Sequence, residues 1–319
     1  MSGKVIKEAI DRKLTREKVI EVKELAKYYG DTIALNKVSF EVYRGEIFSL
    51  VGPNGAGKTT TVEILECLRR PSDGVAKVLG YDVLKDENEI KKRIGVMPQN
   101  FNTLERLTVK ENVELIAKIY GIKSDINEYL ELLGLDGVRN KKFHTLSGGM
   151  RRRVGICMAL VGEPELVFLD EPTTGLDPQA RKDVWNVIKH LKKMGKTVFL
   201  TTHYMEEVEE LCDRASIIVD GRIIHTDRIN ELILEYGGGI KIIADREAGD
   251  ADKILRKFTD DVFYERDSIV GRFKSRREAG KAIAELYENE CKIRIVEPSM
   301  DDVFMNLVGK RIDERGELI

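Results

Sequence analysis

Nine consecutive residues, Gly52-Pro53-Asn54-Gly55-Ala56-Gly57-Lys58-Thr59-Thr60, have the types and spacing needed to hold a phosphate chain. They fit the pattern G-x-x-x-x-G-K-[ST]. Glycines let backbone N–H groups converge on phosphate oxygens, and a helix that starts there directs its positive end at the same point. Lys58 supplies a point charge that can reach the β- and γ-phosphates, and the Thr59 hydroxyl suits Mg²⁺.

A second chemical cluster follows the apolar run before Asp170-Glu171-Pro172. Asp170 at a strand end can hold Mg²⁺ through water, and Glu171 can orient an attacking water. Adjacent strand residues point to opposite faces, so the two carboxylates need different roles. Gln99 and His203 each stand just past a buried strand, where polar residues line the binding crevice of open α/β sheets. Ser147 is placed to cap a helix, with Gly148 and Gly149 leaving its first N–H groups approachable. Arg151, Arg152 and Arg153 in the first turn oppose the helix dipole, so an anion arriving there or compensating acidic neighbours are expected. Asp177 is the N-cap of a further helix with Pro178 at its first position. Tyr29 lies in the turn after the first strand, ahead of the phosphate loop.

The elements that must position these groups alternate along the chain. Val19 to Leu25 and Ala34 to Val42 read as strands, with a turn over residues 27–31 between them. Residues 47–51 form the strand before the phosphate loop, and a helix runs from Thr59 to the breaker cluster at 70–74. Short strands are expected at 75–79 and 93–97. From about 100 to 150 the apolar spacing becomes helical, with Val109-Val113-Ile116 and Ile126-Leu130-Leu133 as its clearest repeats. This reads as a helical subdomain inserted in an α/β core, and contact with a partner is its expected use. Strands return over 165–172, ending in the two carboxylates, and at 197–202, and Asp220-Gly221 marks a type I′ hairpin. Gly237-Gly238-Gly239 is expected to be a linker. Beyond it, alternating strands and helices give a small α+β domain without a catalytic constellation. The expected division is therefore a charged leader at 1–18, a nucleotide-handling domain at 19–236 and an accessory domain at 237–319.

Composition narrows the function. The formal net charge of −2 gives no electrostatic case for nucleic-acid binding. The four cysteines are dispersed without C-x-x-C spacing, so they read as small buried hydrophobes rather than disulfides or metal ligands. No stretch approaches the ~18 apolar residues of a membrane span, and no apolar signal core begins the chain. A cytoplasmic protein whose membrane role comes through a partner is expected.

Taken together, the motifs resemble those of ATP-binding cassette (ABC) ATPases. GPNGAGKTT is similar to Walker A, LVFLDEP to Walker B and LSGGM to the family signature. Tyr29 resembles the aromatic A-loop, Gln99 the Q-loop, Asp177 the D-loop and His203 the H-loop. The signature ends in Met150 where Gln is commonest. The segment from Glu297 to Phe304 and Tyr120-Gly121 resemble the ABC-2 drug-export group. The resemblance implies a P-loop NTPase fold, a mixed sheet core with an inserted helical subdomain. It also implies ATP and Mg²⁺ as cofactors, with Thr59, Gln99 and Asp170 at the metal. Two copies would pair head to tail, each ATP lying between the phosphate loop of one and Ser147-Gly148-Gly149 of the other. A separate membrane permease would be the partner, leaving the chain peripheral on the inner face of the membrane. The alternative reading is a non-transport ABC ATPase acting on nucleic acid or the ribosome.

Overall fold

The computed structural model describes residues 17–122, 125–245, 250–310, 312–313 and 315–319. Most of the expected leader, residues 1–16, lies outside them. Contacts divide the chain into two units. One runs through Thr226 and takes in 314–317; the other covers Asp227–Asp313 with Leu318–Ile319.

The first unit is built on β3 (Ile47–Val51), β6 (Ile94–Met97), β7 (Leu166–Asp170), β8 (Thr197–Thr202), β9 (Arg214–Val219) and β10 (Arg222–Arg228), in the spatial order β10-β9-β3-β8-β7-β6. Every residue of β3, β7 and β8 is buried. Both faces of these strands are covered, so they carry continuous apolar runs rather than alternation. The pairs β3–β8, β3–β9, β7–β8 and β6–β7 are parallel.

One face of this sheet meets an antiparallel sheet of order β2-β1-β4-β5, with β1 (Lys18–Tyr29), β2 (Thr32–Tyr43), β4 (Asp73–Val78) and β5 (Tyr81–Asp82). Four phenylalanines join the layers. Phe40 stacks on Phe48 at 5.7 Å, Phe48 on Phe199 at 5.7 Å, and Phe168 lies 5.5 Å from Phe199. The other face is covered by helices Gly148–Leu160 and Pro178–Lys193, whose Val154, Ile156, Val184 and Ile188 share a core with Val167 and Leu200.

The stretch expected to be helical is so. Helices Val109–Tyr120 and Ile126–Leu132 precede two 3₁₀ turns, and the pairing seen there is an isolated bridge between Thr108 and Lys142. Thr108 and Glu111 form a reciprocal capping box at the first helix.

The second unit carries a sheet of order β12-β13-β11-β14, from β11 (Ile240–Asp245), β12 (Val262–Glu265), β13 (Ser268–Phe273) and β14 (Ile293–Val296). The pairs β11–β13, β11–β14 and β12–β13 are antiparallel. Helices Ala251–Phe258 and Arg276–Glu288 supply Ile254, Leu255, Ala282 and Leu286 to its core. Among the described residues no helix is long and apolar enough to cross a membrane.

Several expectations shift. The turn placed at 27–31 is shorter, because β1 continues to Tyr29. The phosphate-loop helix ends at Leu65 instead of near 70, and Cys67 adopts φ 59° just beyond it. Gly237-Gly238-Gly239 is no linker: all three lie inside the second unit. A Cβ on Gly239 would come 2.3 Å from the Phe273 carbonyl oxygen, so close packing calls for glycine there. The helix Ile229–Tyr236, expected with the first unit, packs with Met300–Val308 in the second.

Candidate functional site

The parallel strands deliver their ends to one edge in register. Val51 pairs with Thr202, Thr201 with Asp170, and Leu169 with Met97. The residues that follow these strands, Gly52, His203, Glu171 and Gln99, therefore emerge side by side at the carboxyl edge of the sheet. This is where such folds place their ligands.

The phosphate loop spans Gly52 to Gly57, and helix Lys58–Leu65 follows directly. Gly57 has φ 101°, and a Cβ there would sit 2.6 Å from the Ala34 carbonyl oxygen. Only glycine satisfies both conditions. Lys58 is buried, and its Nζ donates to the carbonyls of Gly52 at 2.8 Å and Pro53 at 3.0 Å. Burial pushes its pKa below the ordinary lysine value, although Glu171 and Asp170 oppose the shift. Thr59 is exposed and Thr60 half-buried at the start of the helix, and Ala56 is buried.

Glu171 is the centre of the site. Its Oε2 accepts from Gln99 Nε2 at 3.1 Å and Thr174 Oγ1 at 2.9 Å, and stands 3.4 Å from His203 Nδ1. Lys58 Nζ is 3.6 Å from Oε1. Burial alone would raise this carboxyl, but His203, Lys58 and Thr174 outweigh it and hold the pKa at about 2. Its backbone was expected to continue the strand. Instead β7 ends at Asp170, and Glu171 turns into the left-handed region at φ 47°. Its N–H is shared between the Thr201 carbonyl and hydroxyl, each at 3.1 Å.

Asp170 accepts a short hydrogen bond from Thr201 Oγ1. Burial, helped by the Glu171 charge, pushes its pKa up. Among the described residues no group of three or more acidic, His or Cys side chains forms a metal cage. Mg²⁺ needs no such cage, since it takes one or two protein ligands and completes its shell with phosphate oxygens and water. Of the three residues expected at the metal, Asp170 ends β7 and Thr59 lies in the first turn of the phosphate-loop helix. The Gln99 amide instead donates to Glu171. Among the described residues neither buried His203 ring nitrogen makes a hydrogen bond, Nδ1 facing Glu171 at ion-pair distance. A buried imidazole in that state is suited to a terminal phosphate oxygen. The loop, the lysine and this histidine thus fit a nucleotide triphosphate.

The signature segment meets its expected cap, while its arginines find partners that the sequence did not indicate. Ser147 caps helix Gly148–Leu160 by accepting from the Met150 N–H at 3.4 Å, and Ser147 and Gly148 are exposed. Gly149 is glycine for packing, since a Cβ would lie 2.9 Å from Ala180 Cβ. The arginines are spent on carbonyl oxygens within the fold. Arg151 bonds those of Leu146 and His144, Arg152 that of Gln99 at 2.6 Å, and Arg153 that of Leu133. Asp177 is exposed and caps its helix through the Ala180 N–H at 2.9 Å. Tyr29 is 40% exposed at the end of β1, with Lys27 Nζ 5.0 Å and the Arg69 guanidinium 5.3 Å from its ring centre.

Two participants, Thr201 and Thr174, escaped the sequence reading, and two that it named, Arg152 and Asn54, take partners it did not foresee. Thr201 and Thr174 fasten the carboxylates, and hydroxyl residues in or beside a buried apolar strand were the available signal. Arg152 reaches Gln99 through a contact with no local signature. Asn54, expected to face phosphate, donates its N–H to the Gly316 carbonyl at 2.6 Å and its amide to that of Arg315 at 2.7 Å. The phosphate loop of this chain thus carries a contact from its own last residues.

Comparison with known proteins agrees with this geometry. The family described as ABC transporter matches residues 35–174. The daunorubicin/doxorubicin resistance ATP-binding protein of Streptomyces peucetius is 35% identical over 313 residues, spanning 93% of this chain and 94% of that protein. A Nod factor export ATP-binding protein of Cupriavidus pinatubonensis is 35% identical, spanning 92% of each chain. A dimeric ATP-binding cassette solved in a post-hydrolysis state with ADP and phosphate matches with a TM-score of 0.59. It is 29% identical and covers 66% of this chain and 98% of its own. The chain belongs to the ABC transporter family, as an ATP-binding and ATP-hydrolysing subunit.

Proposed function

We propose that this chain is the motor of an exporter of the ABC-2 type, hydrolysing MgATP to drive a separate membrane permease. The observation that carries the reading is the Glu171 carboxylate, held between Lys58, Gln99 and His203 at strand ends that are aligned in register. In this reading Lys58 and the N–H groups of Gly55, Gly57, Thr59 and Thr60 hold the phosphates, and Tyr29 stacks on the base. Thr59 and Asp170 hold Mg²⁺, which neutralises charge on the phosphates. Glu171 orients water in line with the terminal phosphate, and His203 holds both in place. Hydrolysis is then a matter of positioning and charge rather than covalent chemistry.

The exposed Ser147 and Gly148 support a head-to-tail pair of copies, in which this helix start faces the nucleotide of the other copy. The Arg152 bond to the Gln99 carbonyl gives that segment a route to the catalytic carboxylate. The helical lobe at 100–150 is the surface offered to the permease, which places the chain at the inner face of the cell membrane. Drug and Nod-factor export in the relatives' names supports an export role.

The test is to load tagged Glu171→Gln protein with MgATP, incubate it with gently solubilised membranes of the native host, and identify what is retained only with ATP. A polytopic membrane protein is the expected result. Ribosomal or nucleic-acid-bound partners without one would overturn the transport reading and leave the ATPase standing.

A further inference from the structure

We propose that Glu207 is a positioning residue for hydrolysis, tying the turn after Glu171 to the helix after His203. The inference rests on the roles given to Glu171 and His203 above. Glu207 is fully buried in helix Met205–Leu211, four residues beyond His203. Its Oε1 accepts from Thr173 Oγ1 at 2.8 Å and from Trp185 Nε1 at 3.0 Å. Thr173 is also fully buried and lies two residues beyond Glu171. Trp185 stands on helix Pro178–Lys193, the helix capped by Asp177. One carboxylate oxygen therefore joins the segments that carry Glu171, His203 and Asp177.

An interior carboxylate is an expensive way to join segments. Burial pushes the Glu207 carboxyl above its ordinary range, against the pull of nearby hydroxyls, the indole N–H and the Arg181 charge. Well-packed apolar side chains of similar volume often serve stability as well or better. What hydrogen bonds add is direction, and here it comes from the two bonds to Oε1, since Oε2 is buried without a hydrogen-bond partner among the described residues. Glu171 needs that. A non-glycine residue at φ 47° is strained and persists only where its surroundings over-determine it. On its N-terminal side Glu171 is held by Thr201. On its C-terminal side the Thr173–Glu207 bond anchors the turn to the segment that also carries His203. Displacement of about 1 Å at such a centre can cost about a hundredfold in rate.

The experiment compares Thr173→Val, Glu207→Gln and Glu207→Leu for kcat, KM for ATP and thermal midpoint, well below the midpoint of each variant. Thr173→Val is nearly isosteric and removes only the donor, so it remains informative where Glu207→Leu fails to fold. Thr173→Val is expected to lower kcat about tenfold with KM within about twofold, because the loss is one of positioning. Glu207→Gln keeps the accepting oxygen and is expected to stay within about threefold of wild type. In a His203→Ala background, Thr173→Val is expected to add less than about twofold, since residues acting as a unit are not additive. Wild-type kcat in Thr173→Val, with only a lower midpoint, would make Glu207 a structural residue and overturn the proposal. Glu171→Gln serves as the control. If it turns over normally, the underlying reading has failed; if it is inert while Thr173→Val is normal, this inference alone has failed.

Discussion

His203 Nδ1 stands 3.4 Å from Glu171 Oε2, and both side chains are buried at the ends of neighbouring strands. The pair is held by register rather than by either residue alone. His203→Ala is accordingly expected to lower kcat by about a hundredfold or more, with ATP affinity changed by less than about tenfold. Steady-state turnover and equilibrium nucleotide binding measured on the same preparation check this.

Lys58 carries the opposite split. Its Nζ now rests on the carbonyls of Gly52 and Pro53, and it is the buried lysine nearest the carboxylates. A charge-assisted contact to phosphate is worth about 1.5–3 kcal/mol, so Lys58→Ala is expected to weaken ATP binding by roughly ten- to a hundredfold. Titration calorimetry reads this directly, and unchanged binding would remove the phosphate role from this loop.

Glu66 gives a pH signature in stability. It is 6% exposed at the end of the phosphate-loop helix, and burial, with Asp170 and Glu63 adding repulsion, pushes its pKa up to about 8. The folded state therefore binds a proton that the unfolded state, near 4.5, has already lost. Stability from this group is full below pH 4.5 and falls as pH rises towards 8. Glu66→Gln removes the titration, so the variant is expected to gain on wild type across that window, by up to about 5 kcal/mol at its upper end. Urea unfolding at pH 5 and at pH 8.5 checks it. An equal difference at both values would contradict the assignment.

Phe199 lies between Phe48 and Phe168 in the layer joining the two sheets of the first unit. Phe199→Ala is expected to cost about 3–5 kcal/mol, since the cavity cannot collapse between two sheets. Denaturant unfolding followed by Trp185 fluorescence measures this.

The site was legible in the sequence because its groups are strand-end residues. Gly52, Gln99, Glu171 and His203 each follow a short apolar run, and parallel strands in register bring such residues together without detailed packing knowledge. The helical lobe and the small α+β unit were legible for a related reason, through apolar spacing. What the chain concealed depends on long-range contacts. The arginines after the signature glycines called for an anion or for acidic neighbours; carbonyls of nearby and distant segments take their N–H groups, and the charges of Glu171 and Asp170 act on Arg152. The left-handed turn at Glu171 is invisible to alternation rules that continue the strand. Gly237 to Gly239 looked like a linker because glycine serves flexibility and tight packing equally well. The bonds of Thr173 and Trp185 to Glu207, and of Asn54 to Arg315, join residues whose sequence separations carry no local signal.

The most direct measurement is phosphate release from MgATP by wild-type and Glu171→Gln protein, with nucleotide binding measured in parallel. The account predicts that the variant binds ATP within about tenfold of wild type and releases phosphate at least about a hundredfold more slowly. Wild-type turnover in Glu171→Gln would contradict the assignment of hydrolysis to this carboxylate.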